Sequence, residues 1–375
     1  MVITLVMDLY GDANNGTTMT ARRFAKILTN HGHTVRVLCG SSIDDPNIYS
    51  TGYVHVPVFQ WLITSQGMEF AKVNNKVIFD AVNGADIVHF LLPFRLSQKT
   101  KKICDKLNIP TTAAFHCQPE NITYTLHMGK SKVANNILYF FFRKFYNRFS
   151  DIHCPSIMIE QQLIKHNYKA KTHVISNGVV PRFYKKTVVK PINLKDKFII
   201  LMIGRYSREK RQDLIINATL NSKNEKDIQL IFAGRGPWEK HLKKISSKLT
   251  NKPLFGFYTS DELLNIINYS DLYVHASDAE IEAISCIESF TCGLVPVIGD
   301  SPMSATNQFA LRESNLFKAG DYLSLRDKID FWIKHEEEKK NCSKEYINYS
   351  KKFKIENCVL ELEKVFENVV NKNKH

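Results

Sequence analysis

Short apolar runs rich in β-branched residues alternate with stretches of helical periodicity along most of this chain. Val2 to Met7 and Thr34 to Cys39 are two such runs, and the segment between them, Thr17 to His31, has one apolar helical face and is followed by Gly32. A strand, a helix and a strand in this order form a βαβ unit with parallel strands. The alternation therefore predicts an α/β fold and argues against an all-β protein or a helical bundle.

The alternation continues in two blocks, which are separated by the lysine-rich, proline-containing stretch from Tyr184 to Lys197. Further strands are predicted at Ile87 to Leu92, Thr111 to Phe115, His173 to Ile175, Phe198 to Ile203, Gln229 to Ala233, Leu272 to His275 and Val295 to Ile298. With 375 residues, the chain fits two domains at roughly 100 to 200 residues each. We predict doubly wound domains over residues 1–182 and 183–350, and a terminal helix, Ile355 to Val370, within residues 351–375.

Composition excludes several classes of protein. Apolar residues make up 44% of the chain and charged residues 23%, which is too apolar for a disordered chain. The eight cysteines form no CxxC pair, so we expect reduced thiols and a cytoplasmic protein. The start of the chain, Met1 to Asp8, is predicted to be a core strand and not a signal peptide. The central apolar run from Ile137 to Phe142 is far shorter than the roughly 20 residues of a spanning helix.

The chain is basic, with a formal net charge of +14. No acidic residue occurs between Glu120 and Asp151, where several lysines and arginines accumulate. A stretch of one charge sign attracts phosphate, whether on nucleic acid, an anionic bilayer or a nucleotide. Charge alone leaves these three partners open.

A glycine-containing loop precedes the first predicted helix. It has the form Gly11-x4-Gly16, and the free backbone N–H groups at the start of the helix suit a phosphate. It lacks the Gly-x-Gly-x-x-Gly pattern, and the second strand ends Leu38-Cys39-Gly40 without an acidic residue, which argues against a nicotinamide enzyme. A turn that only caps the helix explains the loop equally well.

The second domain carries a pair of cations and a tight turn. Arg205 and Lys210 flank a turn after its first strand, at the sheet edge where α/β proteins bind ligands, and two cations there can hold a diphosphate. Gly234-Arg235-Gly236-Pro237 is a turn that a ligand can approach closely. A solvated basic turn and an ordinary strand-to-helix turn are the alternatives.

The most specific pattern is a pair of glutamates, Glu280 and Glu288, separated by seven residues. The second lies on a predicted helix that ends at Gly293. Carboxylates accept hydrogen bonds from hydroxyls, so the pair suits a sugar and a ribose better than a phosphate.

These four motifs, in this order and on these elements, resemble those of GT-B nucleotide-sugar glycosyltransferases of the family 4 type. Ser150 to Ser156, Asn177-Gly-Val179 and Leu254 to Phe257 resemble further family segments, so the resemblance covers nearly the whole chain. It implies two Rossmann-like domains facing each other across a cleft. The first would bind the acceptor, the second the nucleotide sugar, and the terminal helix would cross back to the first.

The resemblance also implies roles for single residues. Arg205 and Lys210 would bind the donor pyrophosphate, Glu288 the ribose, and Glu280 the transferred sugar as a catalytic residue. His116 would be the second catalytic residue, in contact with the sugar or the acceptor hydroxyl, although a lone histidine is more often structural. The remaining donor-binding residues implied are Gly16, Gly234 and Ser285.

Departures from the family pattern leave the donor sugar open. Ile281-Glu282-Ala283 stands where the family commonly has Pro-Phe-Gly, so Glu282 is an alternative holder of the role given to Glu280, and Thr17 replaces a usual glycine. The implied mechanism is retaining transfer without a covalent sugar–enzyme intermediate. The chain has no Asp-x-Asp triplet, so we expect no metal and no other cofactor.

The acceptor half contains Ile137 to Phe149, in which aromatic residues alternate with Arg143, Lys144 and Arg148. This mixture suits an anionic membrane surface, although a basic core helix is the alternative. The segment from Phe115 to Tyr124 resembles bacterial diacylglycerol glucosyltransferases. We therefore expect hexose transfer, from a donor such as UDP-glucose, to a lipid or lipid-linked saccharide by a peripheral enzyme on the inner face of the cell membrane.

Other functions fit parts of the pattern. A soluble or polysaccharide acceptor, as in capsule or exopolysaccharide synthesis, needs no membrane contact. A nucleotide-sugar 2-epimerase or a phosphorylase would use the same fold, and a non-enzymatic membrane-binding module would use only the basic surface. The sequence has no RNP1-type aromatic motif, so we expect no nucleic-acid partner.

Overall fold

The computed structural model describes residues 1–11, 16–55, 69–126, 128–129 and 131–373. The chain forms two compact units, and the first contains Met1–Asn177 together with Glu356–His375. The second contains Gly178–Ile355. The first unit is therefore built from two separate parts of the chain. Residues 12–15, inside the first glycine loop, lie outside the described ranges.

The first unit contains a seven-stranded parallel sheet with the order β3-β2-β1-β4-β5-β6-β7. Its strands are β1 Val2–Val6, β2 Thr34–Cys39, β3 Ile48–Ser50, β4 Ile87–Phe90, β5 Thr111–Ala114, β6 Asp151–Cys154 and β7 Lys171–Val174. Its helices are α1 Gly16–Asn30, α2 Asn75–Val82, α3 Arg95–Lys106, α4 Pro119–Thr125, α5 Lys132–Tyr146 and α6 Ile157–Lys165. The order turns around between β1 and β4, as in doubly wound folds.

Local sequence explains where several of these elements begin. The central strand β1 pairs with β2 on one side and β4 on the other, and four of its five residues are buried. The side chain of Asn74 accepts from two backbone N–H groups at the start of α2, and Ser131 caps α5 in the same way. Each cap satisfies N–H groups that have no partner within the helix.

The second unit contains a six-stranded parallel sheet with the order β10-β9-β8-β11-β13-β15 and a small β12–β14 pair. Its strands are β8 Phe198–Ile203, β9 Ile228–Ala233, β10 Leu254–Gly256, β11 Leu272–His275, β12 Ala279–Glu280, β13 Pro296–Asp300, β14 Met303–Ser304 and β15 Leu316–Lys318. Its helices are α7 Gln212–Leu220, α8 Glu239–Ile245, α9 Ser260–Tyr269, α10 Ile284–Thr291, α11 Tyr322–Lys334 and α12 Glu336–Tyr349.

The predicted α/β class and parallel sheets are confirmed, but several strands were missed. The strand predicted at His173 to Ile175 is Lys171–Val174. The apolar-run criterion missed β3, β10 and β15, which have three residues each and lie at sheet edges, and the two-residue strands β12 and β14. Edge strands are less buried, so their sequences lack a continuous apolar run. The criterion also missed the inner strand β6, whose buried sequence Asp-Ile-His-Cys contains two polar residues. All eight cysteines are free thiols, and all eight are buried.

The terminal helix is α13, Ile355–Asn373, and almost all of it belongs to the first unit. Its inner face buries Val359, Leu362 and Phe366. On the same helix, Glu363 Oε1 accepts from His31 Nδ1 at 2.8 Å and His33 Nε2 at 2.9 Å. These bonds tie the end of the chain to the turn between α1 and β2.

Replacing Glu363 by alanine should lower the free energy of unfolding by about 1 to 3 kcal/mol, because two partly buried imidazole N–H groups lose their acceptor. Urea unfolding followed by circular dichroism measures this change. Glu361→Ala, at an exposed position on α13, is the matched control and should have little effect. Equal stability of the two variants would contradict the anchoring role of Glu363.

Candidate active site

The strand order of the sheet in the second unit reverses between β8 and β11, and we call this point the crevice position. Gly204 and Arg205 follow the end of β8, and β11 ends at His275. In doubly wound sheets, ligands bind outside the carboxyl ends of the strands at this position. Several of the residues predicted to bind the donor are in the loops that leave these two strands.

The loops at this edge of the sheet pack against each other through backbone atoms. Gly204 N–H donates to Ala233 O at 2.9 Å, and Gly234 N–H donates to Gly256 O at 2.7 Å. A Cβ atom on residue 234 would lie only 2.0 Å from Gly204 O. Gly234, a predicted donor-binding residue, is therefore required for this close packing whether or not a ligand is bound.

Lys210 and Glu280, 70 positions apart in the chain, form an ion pair beside this crevice position. Their side chains are only 19% and 18% exposed. Burial alone would raise the pKa of Glu280, but the charge of Lys210 and the nearby His275 outweigh it, and the pKa falls to about 2. Glu280 is therefore an anion at neutral pH. The structure thus joins the cation predicted for the diphosphate and the carboxylate predicted for the sugar.

A chain of polar groups lies behind Glu280. His275 Nε2 is 3.5 Å from Glu280 Oε2, and His275 Nδ1 is 3.1 Å from the hydroxyl of Tyr273. That hydroxyl is also 3.1 Å from Ser285 Oγ. Sequence reasoning missed Tyr273 and His275. The available signal was two polar ring residues, two positions apart, in an otherwise apolar strand immediately before the glutamate motif.

A second ion-pair cluster holds the Lys210 turn against the segment that carries Glu280. Arg211 Nη1 lies 3.3 Å from Asp278 Oδ2, and its Nε lies 3.1 Å from Asp213. The backbone N–H of Asp278 donates to Glu209 O at 2.7 Å. These contacts were not predicted either. These contacts join the residues next to Lys210 to the residues next to Glu280, on both sides of the ion pair.

The other predicted donor-binding residues of this unit are also near the ends of β8 and β11. Burial lowers the pKa of Arg205, whose charge in turn acts on Lys210. Glu288 is buried on α10, and this helix begins after Ala283 in a left-handed conformation with φ 66°. That conformation favours glycine, so alanine at this position carries backbone strain.

His116, the catalytic residue predicted in the first unit, follows β5 and is 6% exposed. Its ring packs edge-on against His153 at 5.3 Å, and His153 stacks on His89 at 6.4 Å. Burial lowers the pKa of His116 well below its ordinary value and lowers those of His89 and His153 to about 3 and about 4. His116 is therefore a neutral imidazole at physiological pH. Gly16 is the exposed first residue of α1.

The three predicted membrane cations differ in their environment. Arg143 Nη1 donates to His166 O at 3.0 Å, and Arg148 pairs with Asp105. Lys144 lies over the rings of two exposed phenylalanines, Phe140 and Phe141, and Arg143 also lies over the Phe140 ring. Arg143 and Arg148 thus have partners within the unit, while Lys144 is on the aromatic surface of α5. No helix in the described ranges is long and apolar enough to cross a membrane.

Two family models match consecutive parts of the sequence. A model described as Glycosyltransferase Family 4 matches residues 14–183, and one described as Glycosyl transferases group 1 matches residues 185–349. The alpha-monoglucosyldiacylglycerol synthase of Streptococcus pneumoniae is 23% identical over 322 residues, which cover 80% of this chain and 70% of that protein.

Solved structures are also similar. The Anabaena protein HepE in complex with UDP-glucose has a TM-score of 0.76 at 16% identity, over 98% of this chain and 100% of that one. The catalytic domain of cholesterol-alpha-glucosyltransferase from Helicobacter pylori is 46% identical, covering 41% of this chain and 96% of that one, with a TM-score of 0.40.

The buried histidines of the first unit predict an acid-sensitive fold. Unfolded histidines take up protons near pH 6.5, whereas His153 and His89 in the folded unit do so only near pH 4 and pH 3. As the pH falls from 6.5 towards 4, the unfolded chain binds more protons, so the free energy of unfolding should fall. The slope is about 1.4 kcal/mol per pH unit for each histidine that stays neutral.

Urea unfolding at pH 7, 6 and 5 measures this slope. The variant His153→Gln should have a lower slope than the wild type, because one titrating group is removed. The exposed residue His241, in the second unit, is the control, since His241→Gln should leave the slope unchanged. An identical slope in the wild type and His153→Gln would contradict the prediction.

Proposed function

Because this chain belongs to the GT-B glycosyltransferases of the family 4 type, we propose that it transfers a hexose from a UDP-sugar to a lipid or lipid-linked acceptor at an anionic membrane surface, with retention of configuration. The observation that carries the donor half of this proposal is the Lys210–Glu280 pair at the turnaround point of the second sheet. It combines a buried cation for a diphosphate with a carboxylate for sugar hydroxyls.

The donor diphosphate would take the ammonium of Lys210 as its partner, with Arg205 as a second cation. Both charges act on the leaving group, where negative charge develops as the bond to the sugar breaks. Their partly buried position strengthens this effect, since the local dielectric is lower than in water. Glu280, no longer paired with Lys210, would accept hydrogen bonds from the transferred sugar, and Glu288 from the ribose. Gly16, Gly234 and Ser285 complete the proposed donor contacts.

The acceptor hydroxyl would attack from the face on which the diphosphate leaves, and the leaving phosphate would take its proton. His116, as a neutral imidazole, offers one donor and one acceptor nitrogen to the sugar or the acceptor. This scheme assigns no step to a metal ion or other cofactor.

A lipid acceptor is supported by the Streptococcus relative, which is named for a glucosylated diacylglycerol product. The surface of α5 is its physical counterpart, since Ile137, Phe140 and Phe141 are exposed beside Lys144. Exposed rings suit the headgroup level of a bilayer, and each lysine near an anionic surface adds about 1 kcal/mol. We therefore place the enzyme peripherally on the cytoplasmic face of the cell membrane.

The donor site can be tested with Lys210→Ala and Glu288→Gln, assayed for product by mass spectrometry with a panel of nucleotide sugars and a membrane lipid extract. Each change should lower kcat by about 100- to 1000-fold, because it removes a group that stabilises the leaving diphosphate or binds the nucleotide. Lys240→Ala and Glu313→Gln, at exposed positions of the same unit, are matched controls. Wild-type turnover in Lys210→Ala would rule out the assigned diphosphate site.

The membrane surface can be tested with the double variant Phe141→Ser, Lys144→Ser, which leaves Arg143 and Arg148 with their internal partners. Its partition onto vesicles of phosphatidylglycerol and phosphatidylcholine should fall at least about tenfold, since one ring and one charge are lost. Co-sedimentation measures the partition, and Lys364→Ser, exposed on α13, is the control. Unchanged partition would contradict this surface, and a wild type that does not bind the vesicles would favour a soluble or polysaccharide acceptor.

A further inference from the structure

Two side chains on β11 connect Glu280 to the helix that carries Glu288. Tyr273 and His275 are two positions apart and therefore project from the same face of the strand. They are 0% and 1% exposed. The hydroxyl of Tyr273 contacts both His275 Nδ1 and Ser285 Oγ, and Ser285 belongs to the first turn of α10. Polar groups this deeply buried are costly unless they are hydrogen-bonded.

The protons between Glu280, His275 and Tyr273 have one consistent arrangement. Glu280 is ionised, so its oxygens only accept hydrogen bonds, and His275 must present Nε2–H to it. Neutral His275 then has an acceptor at Nδ1, which the hydroxyl of Tyr273 fills as a donor. The Ser285 hydroxyl has one proton and two neighbouring acceptors, the Tyr273 oxygen at 3.1 Å and Ile203 O at 3.4 Å. The Tyr273 hydroxyl thus donates towards the carboxylate, and it favours the Nε2–H tautomer of His275.

Among the described residues, Lys210 and His275 place a cationic or hydrogen-bonding side chain beside the carboxylate of Glu280. Lys210 pairs with the carboxylate directly, whereas His275 Nε2 is 3.5 Å away, longer than a full hydrogen bond. Lys210 has a long side chain and lies in the turn between β8 and α7. His275 is on a central strand of the sheet and its ring is enclosed. If a diphosphate takes the ammonium of Lys210, Glu280 keeps His275 as its remaining partner, since an unpaired buried carboxylate is strongly disfavoured.

We propose that His275 is a positioning residue that holds the carboxylate of Glu280 in place when the donor diphosphate draws Lys210 away. This inference rests on the proposed function, because it takes Lys210 as the diphosphate partner and Glu280 as the sugar partner. Tyr273 supports it by keeping the Nε2–H tautomer of His275. The sugar-binding carboxylate is thus oriented from behind by β11, whereas the cation in front of it is free to exchange partners.

The experiment compares His275→Leu with His275→Gln in the full-length protein. Leucine removes the N–H donor, while the amide nitrogen of glutamine restores it near the position of Nε2. The affinity for UDP, which has the diphosphate but no sugar, is measured by calorimetry, and kcat and KM are measured with UDP-glucose. Cooperative thermal unfolding of each variant checks that the second unit is folded.

His275→Leu should lose about 10- to 100-fold in both the affinity for UDP and kcat/KM for UDP-glucose, because in both complexes Lys210 has left Glu280 and the carboxylate lacks its second hydrogen-bond donor. His275→Gln should recover most of both losses, and Tyr273→Phe should lie between the two. Losses of the same size in His275→Leu and His275→Gln would show a structural role and overturn the inference. So would unchanged turnover in His275→Leu.

The outcome also separates this inference from the proposed function. A wild-type protein that neither binds UDP nor transfers sugar from any nucleotide sugar would overturn the proposed function, and the role of His275 with it. An active wild type with an equally active His275→Leu would overturn only the role of His275. The donor-site variants at Lys210 and Glu288 would then still report on the function itself.

Discussion

The parallel sheet of each unit is covered by helices on both faces, and this arrangement determines where the loops and their polar residues lie. Strands such as Ile228–Ala233 and Leu272–His275 are buried along their whole length. Parallel strands all end at the same edge, so every loop that leaves a strand meets its neighbours there. Chemistry-bearing residues that are far apart in the chain, such as Lys210 and Glu280, are brought together because each follows a strand of one sheet.

The polar groups at this edge illustrate a balance between stability and function. The attraction within a partly buried ion pair such as Lys210–Glu280 offsets the desolvation of two charges but contributes little net stability. In the proposed function, each member would bind a part of the donor. The ion pairs of Arg211 with Asp278 and Asp213 keep the two loops in register around it. The tight contact at Gly234 adds a steric constraint, since no Cβ fits beside Gly204 O.

The first unit uses polar groups differently. Its buried histidines, His89 on β4, His116 after β5 and His153 on β6, pack ring to ring and remain neutral because burial disfavours their charged form. The terminal helix packs on the same unit and contributes Phe366 against His89 at 5.1 Å. A neutral histidine contributes hydrogen-bonding capacity without charge, which suits the role proposed for His116.

The pattern of apolar runs predicted the fold class and most of the inner strands, because most strands buried on both faces are largely apolar. The edge strands β3, β10 and β15 were missed, since partial burial places no such demand on their sequence. The inner strand β6 was missed because Asp151 and His153 interrupt its apolar pattern. For the site, motif spacing and the family resemblance indicated Arg205, Lys210, Glu280 and Glu288. Each pair lies within one short segment, so its spacing is visible in the sequence, whereas the contact between the two segments is not.

The sequence alone predicted two α/β domains and a set of residues suited to binding a nucleotide sugar. The tertiary structure alone decided which of these residues touch. The pairing of Lys210 with Glu280, the placement of His275 and Tyr273 behind that carboxylate, and the internal bonds of Arg143 and Arg148 all depend on contacts between distant segments. Local patterns report periodicity and burial along one segment, whereas such contacts follow from how the sheet aligns its strands and packs its loops.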